Sequence, residues 1–230
     1  MPAHKHKNTR LPFADRSPVV PLLAAIGLLV WLGFLYKNNI AGVFDIGIYE
    51  GIGGRLKEIL QGGTANIDSE YPPLATLLFF VAVANPLHVG FDLAWLVIVL
   101  CAIAAAGAYA VFALRDRLGW LIPASIAGTV FLIGPELVFA RFDVLVAVML
   151  LLSLRARATG HFAHCAAFLA VACAIKIVPA LLIPAVFATA PRSEWKRMGL
   201  GFLAGLGASF LIPVAAMGMR LTMQNITHML

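Results

Sequence analysis

The sequence predicts an all-α fold, a multi-spanning bundle of about seven transmembrane helices, and three observations predict it. Apolar stretches of bilayer-crossing length recur along the chain. Only 12% of its 230 residues are charged, against about 25% in ordinary soluble domains. The cations gather in short runs between the apolar stretches: Lys5, Lys7, Arg10 and Arg16; Arg115 and Arg117; Arg155 and Arg157; Arg192, Lys196 and Arg197. A soluble chain with 61% hydrophobic residues and a mean hydropathy of +0.92 could not cover its apolar surface. A bilayer removes that requirement.

The net charge of +6 has the same reading. Cations placed between spans orient helices and meet anionic headgroups. No basic stripe interleaved with aromatics is present, so nucleic acid is excluded as a partner. Cys101, Cys165 and Cys173 lie in apolar stretches, with no metal-ligand or disulfide spacing, and read as small buried hydrophobes.

The elements follow in order within one membrane domain over 1–230. Residues 1–17 form a basic tail, cytoplasmic by the positive-inside rule. Residues 18–36 form the first span, an uncleaved signal anchor with no small-residue cleavage site after it. The stretch 37–73 is an external loop holding five of the 11 acids: Asp45, Glu50, Glu58, Asp68 and Glu70. Inside it, Ile48, Ile52, Leu56, Ile59 and Leu60 recur at helical spacing, predicting an amphipathic surface helix over 46–60. Gly62-Gly63 ends it. Further apolar stretches cover 74–84, interrupted by Asn85-Pro86, then 91–114, 118–140 and 198–217, with a shorter one over 144–154. Gly201 and Gly205 give the last span a small-xxx-small face for close helix packing. The tract 161–190 is broken by Lys176, Pro179 and Pro184 and admits two arrangements. It is two half-length helices folded near Lys176, which keeps both flanking basic loops cytoplasmic, or one kinked span, which puts one of them outside.

Several charges need a reason. A lysine inside an apolar stretch, as in Ala-Ile-Lys176-Ile-Val-Pro, costs roughly 2.5–3.5 kcal/mol to insert. Lys176 either snorkels or pairs with an acid, or it binds a lipid phosphate beside a cavity. Arg141 and Asp143 flank Phe142, either as an internal ion pair or with Arg141 as a second phosphate ligand. Asp45 is a helix N-cap or a general base at the membrane surface. In Glu70-Tyr71-Pro72-Pro73 the prolines set the entry of the next helix, and Glu70 and Tyr71 can face the same pocket as Asp45. The six histidines show no metal-ligand pattern on one helix face. Asn225-Ile226-Thr227 matches the N-glycosylation pattern, a weak signal.

Three pieces now stand in a telling order: Asp45-Ile-Gly-Ile-Tyr49 after the first span, Glu70-Tyr71-Pro72-Pro73-Leu74 at the mouth of the second, and Arg141-Phe142-Asp143 leading to Ala174-Ile175-Lys176-Ile177-Val178-Pro179. Together they resemble glycosyltransferase family 87, the polyprenol-phosphate-mannose-dependent transferases of the C-type superfamily. The resemblance implies a multi-pass enzyme of the bacterial plasma membrane. Such an enzyme moves a sugar, usually mannose, from a polyprenyl phosphate to a glycolipid or lipid-linked glycan on the outer face, inverting the anomeric centre. It implies Asp45 as catalytic base and Lys176 as phosphate ligand, with Arg141, Tyr49, Glu70, Tyr71 and His228 around the substrates. Arg141 stands where members often have Asn, and His228 matches the first residue of a later His-Arg-Gly motif. Members continue for several more spans, so the chain reads as an N-terminal portion. No cofactor and no tightly bound metal are expected. The competing reading is a non-catalytic lipid-handling or transporter-like subunit, or an inactive fragment of the transferase. The acid-rich external loop disfavours transport, which places its charges near the midplane.

Overall fold

Glycine and proline punctuation decides where the helices begin and end. A computed structural model describes residues 44–64, 66–67, 69–114 and 141–229, together with Gly27. The cytoplasmic tail and the spans expected over 18–36 and 118–140 lie outside the described residues. Helix α1, Phe44–Leu60, starts two residues before the expected amphipathic helix. It ends at Gly62, whose φ of +95° is a left-handed cap. There the Gly62 and Gly63 N–H groups donate to the carbonyls of Ile59 and Glu58. The buried face is Ile46, Tyr49, Ile52 and Leu56, whereas Leu60 is 41% exposed. The expected face is largely the buried one: Ile52 and Leu56 are buried and Ile48 and Ile59 pack against the core, with Ile46 and Tyr49 added and Leu60 turned out. The helix does not lie on lipid alone; it is pressed onto protein. A Cβ at Gly53 would come within 2.6 Å of the Phe79 carbonyl oxygen, so only glycine allows that approach.

Helix α2, Pro73–Val83, has Pro72 at its N-cap and Pro73 in its first turn, as the double proline predicts. Asn85 then closes the connection to α3, Phe91–Leu114. Its amide donates to the carbonyls of Ala82 and Val89, and its Oδ1 accepts from the Val89 N–H.

Helices α4, Asp143–Ala158, and α5, Phe162–Ile175, form an antiparallel hairpin across Thr159-Gly160-His161. The Ser153 hydroxyl, buried between them, donates to the Cys165 carbonyl at 2.7 Å. Helix α5 stops at Lys176, and the chain returns through a 3-10 turn, Val178–Leu182, and a short helix α6, Ile183–Ala188. Val186, Phe187 and Ala190 pack beside Phe162 and Ala166, at the opposite end of α5 from Lys176. The out-and-back arrangement is therefore the one adopted. Arg157, in the last turn of α4, donates to the carbonyls of Val186 and Thr189, which brings it next to Arg192 and the start of α7. Both basic loops thus lie at one end of the bundle.

Helix α7, Trp195–Met217, follows a 3-10 turn at Arg192–Glu194. Together they make 26 residues, among the described residues the one helix long and apolar enough to cross a membrane. Gly201 and Gly205 pack on α5 as their spacing predicts: a Cβ would fall 2.2 Å from the Ala163 carbonyl oxygen and 2.5 Å from that of Ala167. The outward face presents Leu200, Leu203 and Leu211, each more than half exposed. After Gly218 the chain forms α8, Met219–Met229, beyond the last expected apolar stretch. Asn225 is fully buried there and hydrogen-bonds to the Ser69 carbonyl and the Thr76 hydroxyl. Its amide is therefore not presented to solvent, as the glycosylation pattern would require. The described residues are helices, turns and loops without a strand, so the all-α expectation holds. The cysteines are free; Cys165 is buried as expected, while Cys101 is exposed.

Candidate functional site

At the end of the α4–α5 hairpin away from the basic loops, four charged side chains form two ion pairs. Asp45 sits in the first turn of α1, where the helix dipole favours a carboxylate. Arg141 precedes α4 and donates from Nε to Asp45 Oδ2 at 3.0 Å. Asp143 occupies the first turn of α4, again at a positive helix end. Lys176 caps the C-terminus of α5 in an extended conformation, where a cation is favoured. Its ammonium donates to Asp143 Oδ1. The antiparallel hairpin puts these two helix ends side by side, so each charge complements its own helix as well as its partner. Both pairs remain open to solvent. The Arg141 and Asp45 side chains are 51% and 25% exposed, those of Lys176 and Asp143 36% and 44%.

The expected internal pair between Arg141 and Asp143 does not form. Arg141 reaches α1, 96 positions away, and Asp143 reaches α5, 33 positions away. Phe142 separates them and turns inward, where it is 2% exposed. Below the charges it joins an aromatic floor. Tyr49 stacks on Phe79 at 4.4 Å between centroids, and both meet Phe142 edge-on. Tyr71 adds edge contacts to Tyr49, Phe79 and Phe142. Trp95 of α3 closes the floor against Tyr49 and Phe79. The Lys176 ammonium lies 5.2 Å from the centre of the Phe142 ring, within cation–π range.

Burial and neighbouring charges act on the two tyrosine hydroxyls in the same direction. Burial, then Tyr71 and Asp45, push the Tyr49 hydroxyl far above its ordinary value. Burial, then Asp45 and Glu70, raise Tyr71, partly offset by a hydrogen bond from Tyr49. Neither hydroxyl can act as a base near neutral pH. Arg141 is held more firmly cationic by its hydrogen bond and charge contact with Asp45. Two carboxylates and two cations, all partly exposed, thus share one rim above the aromatic floor.

The sequence-derived residues Asp45, Tyr49, Tyr71, Arg141 and Lys176 converge here. Glu70 is exposed beside Tyr71, near enough to raise its pKa. His228 lies in the last turn of α8, whose Gln224 and Asn225 dock on the loop before Tyr71. Sequence reasoning did not assign Asp143 and Phe142 to the site. An acid opening one helix and a cation closing the next, across a hairpin turn, is the signal that could have found Asp143. Among the described residues no cluster of three His, Cys, Asp or Glu side chains suited to a metal occurs.

The family model of glycosyltransferase family 87 matches residues 70–229. The chain belongs to glycosyltransferase family 87. It is therefore a membrane glycosyltransferase by family, and the matched segment contains Glu70, Tyr71, Arg141, Asp143, Lys176 and His228, while Asp45 and Tyr49 precede it. No curated protein and no solved structure matches the chain.

Proposed function

We propose that this glycosyltransferase moves a hexose, mannose in the first instance, from a polyprenyl-phosphate donor to a glycolipid or lipid-linked glycan at the outer face of the bacterial plasma membrane. The observation that carries the reading is the gathering of Asp45, Arg141, Asp143 and Lys176 at the end of the hairpin opposite the basic loops. Basic loops favour the cytoplasm, which assigns the charged rim to the other side. Lys176 closes an apolar helix of 14 residues and is partly exposed at its end, a place suited to the phosphate of a membrane-borne lipid donor.

In this reading the acceptor hydroxyl attacks the anomeric carbon while Asp45 takes its proton. The bond from that carbon to the phosphate oxygen breaks, the oxygen keeps the electron pair, and the configuration inverts. Polyprenyl phosphate leaves without a general acid, because Lys176, assisted by Arg141, offsets the charge that develops on it. Arg141 holds Asp45 through Oδ2 only, so Oδ1 is the oxygen assigned to the proton. Membranes containing the chain should transfer label from radiolabelled polyprenyl-phosphate-mannose, and Asp45→Asn should abolish transfer at unchanged expression. Transfer that survives Asp45→Asn would remove Asp45 from the mechanism.

A further inference from the structure

Lys176 is already neutralised by a carboxylate, although a phosphate ligand would be expected to stand ready for its anion. The Asp143–Lys176 pair is not needed to avoid a buried lone charge, since both side chains are more than a third exposed. The ammonium also has other support: the Phe142 ring at 5.2 Å and the C-terminal end of α5. It can therefore exchange its carboxylate for another anion without losing its position.

Resting on the transfer reading above, we infer that Asp143 is a positioning residue that competes with phosphate for Lys176 and so promotes release of the product lipid. The chemistry of the two lipids gives the competition a direction. The donor is a phosphodiester with a single negative charge. Breaking the bond to the sugar leaves a phosphomonoester, whose second ionisation falls at about pH 6. Near neutral pH the product carries close to twice the donor's charge, and a lone lysine would hold it more tightly than the substrate. A carboxylate fixed at the first turn of α4, within hydrogen-bond reach of the same ammonium, offsets that preference. Arg141, a second cation on the same rim, does not relieve that preference but adds to it.

The test compares wild type, Asp143→Asn and Asp143→Glu in detergent micelles. It measures equilibrium binding of a short-chain polyprenyl phosphate and, separately, transfer from polyprenyl-phosphate-mannose. Asp143→Asn should bind the product roughly two- to fivefold more tightly, the range for a solvent-exposed ion pair. The donor KM should fall by less, kcat should drop, and product inhibition should deepen. Asp143→Glu, which keeps a competing carboxylate, should return toward wild-type product affinity. If Asp143→Asn binds the product equally or more weakly while wild type transfers sugar, Asp143 merely supports Lys176 and the inference is overturned with the transfer reading intact. A wild type that neither transfers sugar nor binds polyprenyl phosphate overturns both.

Discussion

Lys176 is fixed from three directions: its N–H donates to Ala172, its ammonium to Asp143, and the Phe142 ring lies beneath it. A cation so placed meets the leaving phosphate in one geometry, and Lys176→Gln should reduce transfer by about 10²-fold, the scale for removing one charge-stabilising donor. Lys176→Arg keeps the charge and should retain a larger share. Arg141→Gln should cost less, about fivefold, because its pair with Asp45 is half open to solvent. Initial rates of the three variants at matched membrane expression check this ranking, and equal losses at Lys176 and Arg141 would refute it. That Asp45 and Lys176 need partners was legible in the sequence, because a charge beside or within an apolar stretch is costly to leave alone, and the structure gives each an ion-pair partner. Asp143 was noticed but given the wrong partner, Arg141. Residues two apart at a helix start diverge, while a partner 33 positions away becomes a neighbour only once the hairpin has formed.

At the scale of elements, residues that stop or start a helix were the most legible. Pro72-Pro73, Gly62 and the bounds of α3 stand where sequence placed them, since these depend on local backbone preference. The inward face of α1 was legible in part. Hydropathy chose Ile52 and Leu56, which are buried, and Ile48 and Ile59, which pack against the core, but not Ile46 and Tyr49, which the aromatic floor drawn from α2, α3 and Phe142 selects. Helix α8 was missed for a related reason: its sequence is polar, and its place depends on Asn225 meeting Ser69 and Thr76. The small-residue seam between α5 and α7 combines both levels, a local pattern with a tertiary purpose. Gly201→Val should destabilise the protein by about 1–3 kcal/mol, the usual scale of overpacking, because its Cβ would meet the Ala163 backbone, which cannot move aside as a side chain can. Gly207→Ala, where nothing lies within 4 Å, is the matched control. Thermal unfolding in detergent should show a lower midpoint for Gly201→Val only, and equal midpoints for both would mean that the seam does not hold the two helices.

At the scale of the whole molecule, the folded tract between α5 and α7 determines which charges share a side. Had residues 161–190 crossed as one kinked span, Arg155 and Arg157 would face the opposite compartment from Arg192, Lys196 and Arg197. Instead Arg157 donates to the carbonyls of Val186 and Thr189, drawing the two basic loops together. The proposed orientation, by the positive-inside rule, puts both in the cytoplasm and the Asp45–Arg141 and Asp143–Lys176 pairs on the other side. Thiol labelling in intact cells tests this arrangement, once Cys101, Cys165 and Cys173 are replaced by alanine and single cysteines are introduced at Gln61, Thr159 and Ser193. All three positions are exposed turns or loop ends. A membrane-impermeant maleimide should label Gln61→Cys in intact cells and reach Thr159→Cys and Ser193→Cys only after permeabilisation. Labelling of Thr159 and Ser193 from opposite sides would break the out-and-back fold. Labelling of all three from one side would keep the fold but remove the separation between basic loops and charged rim on which an outward-facing transferase depends.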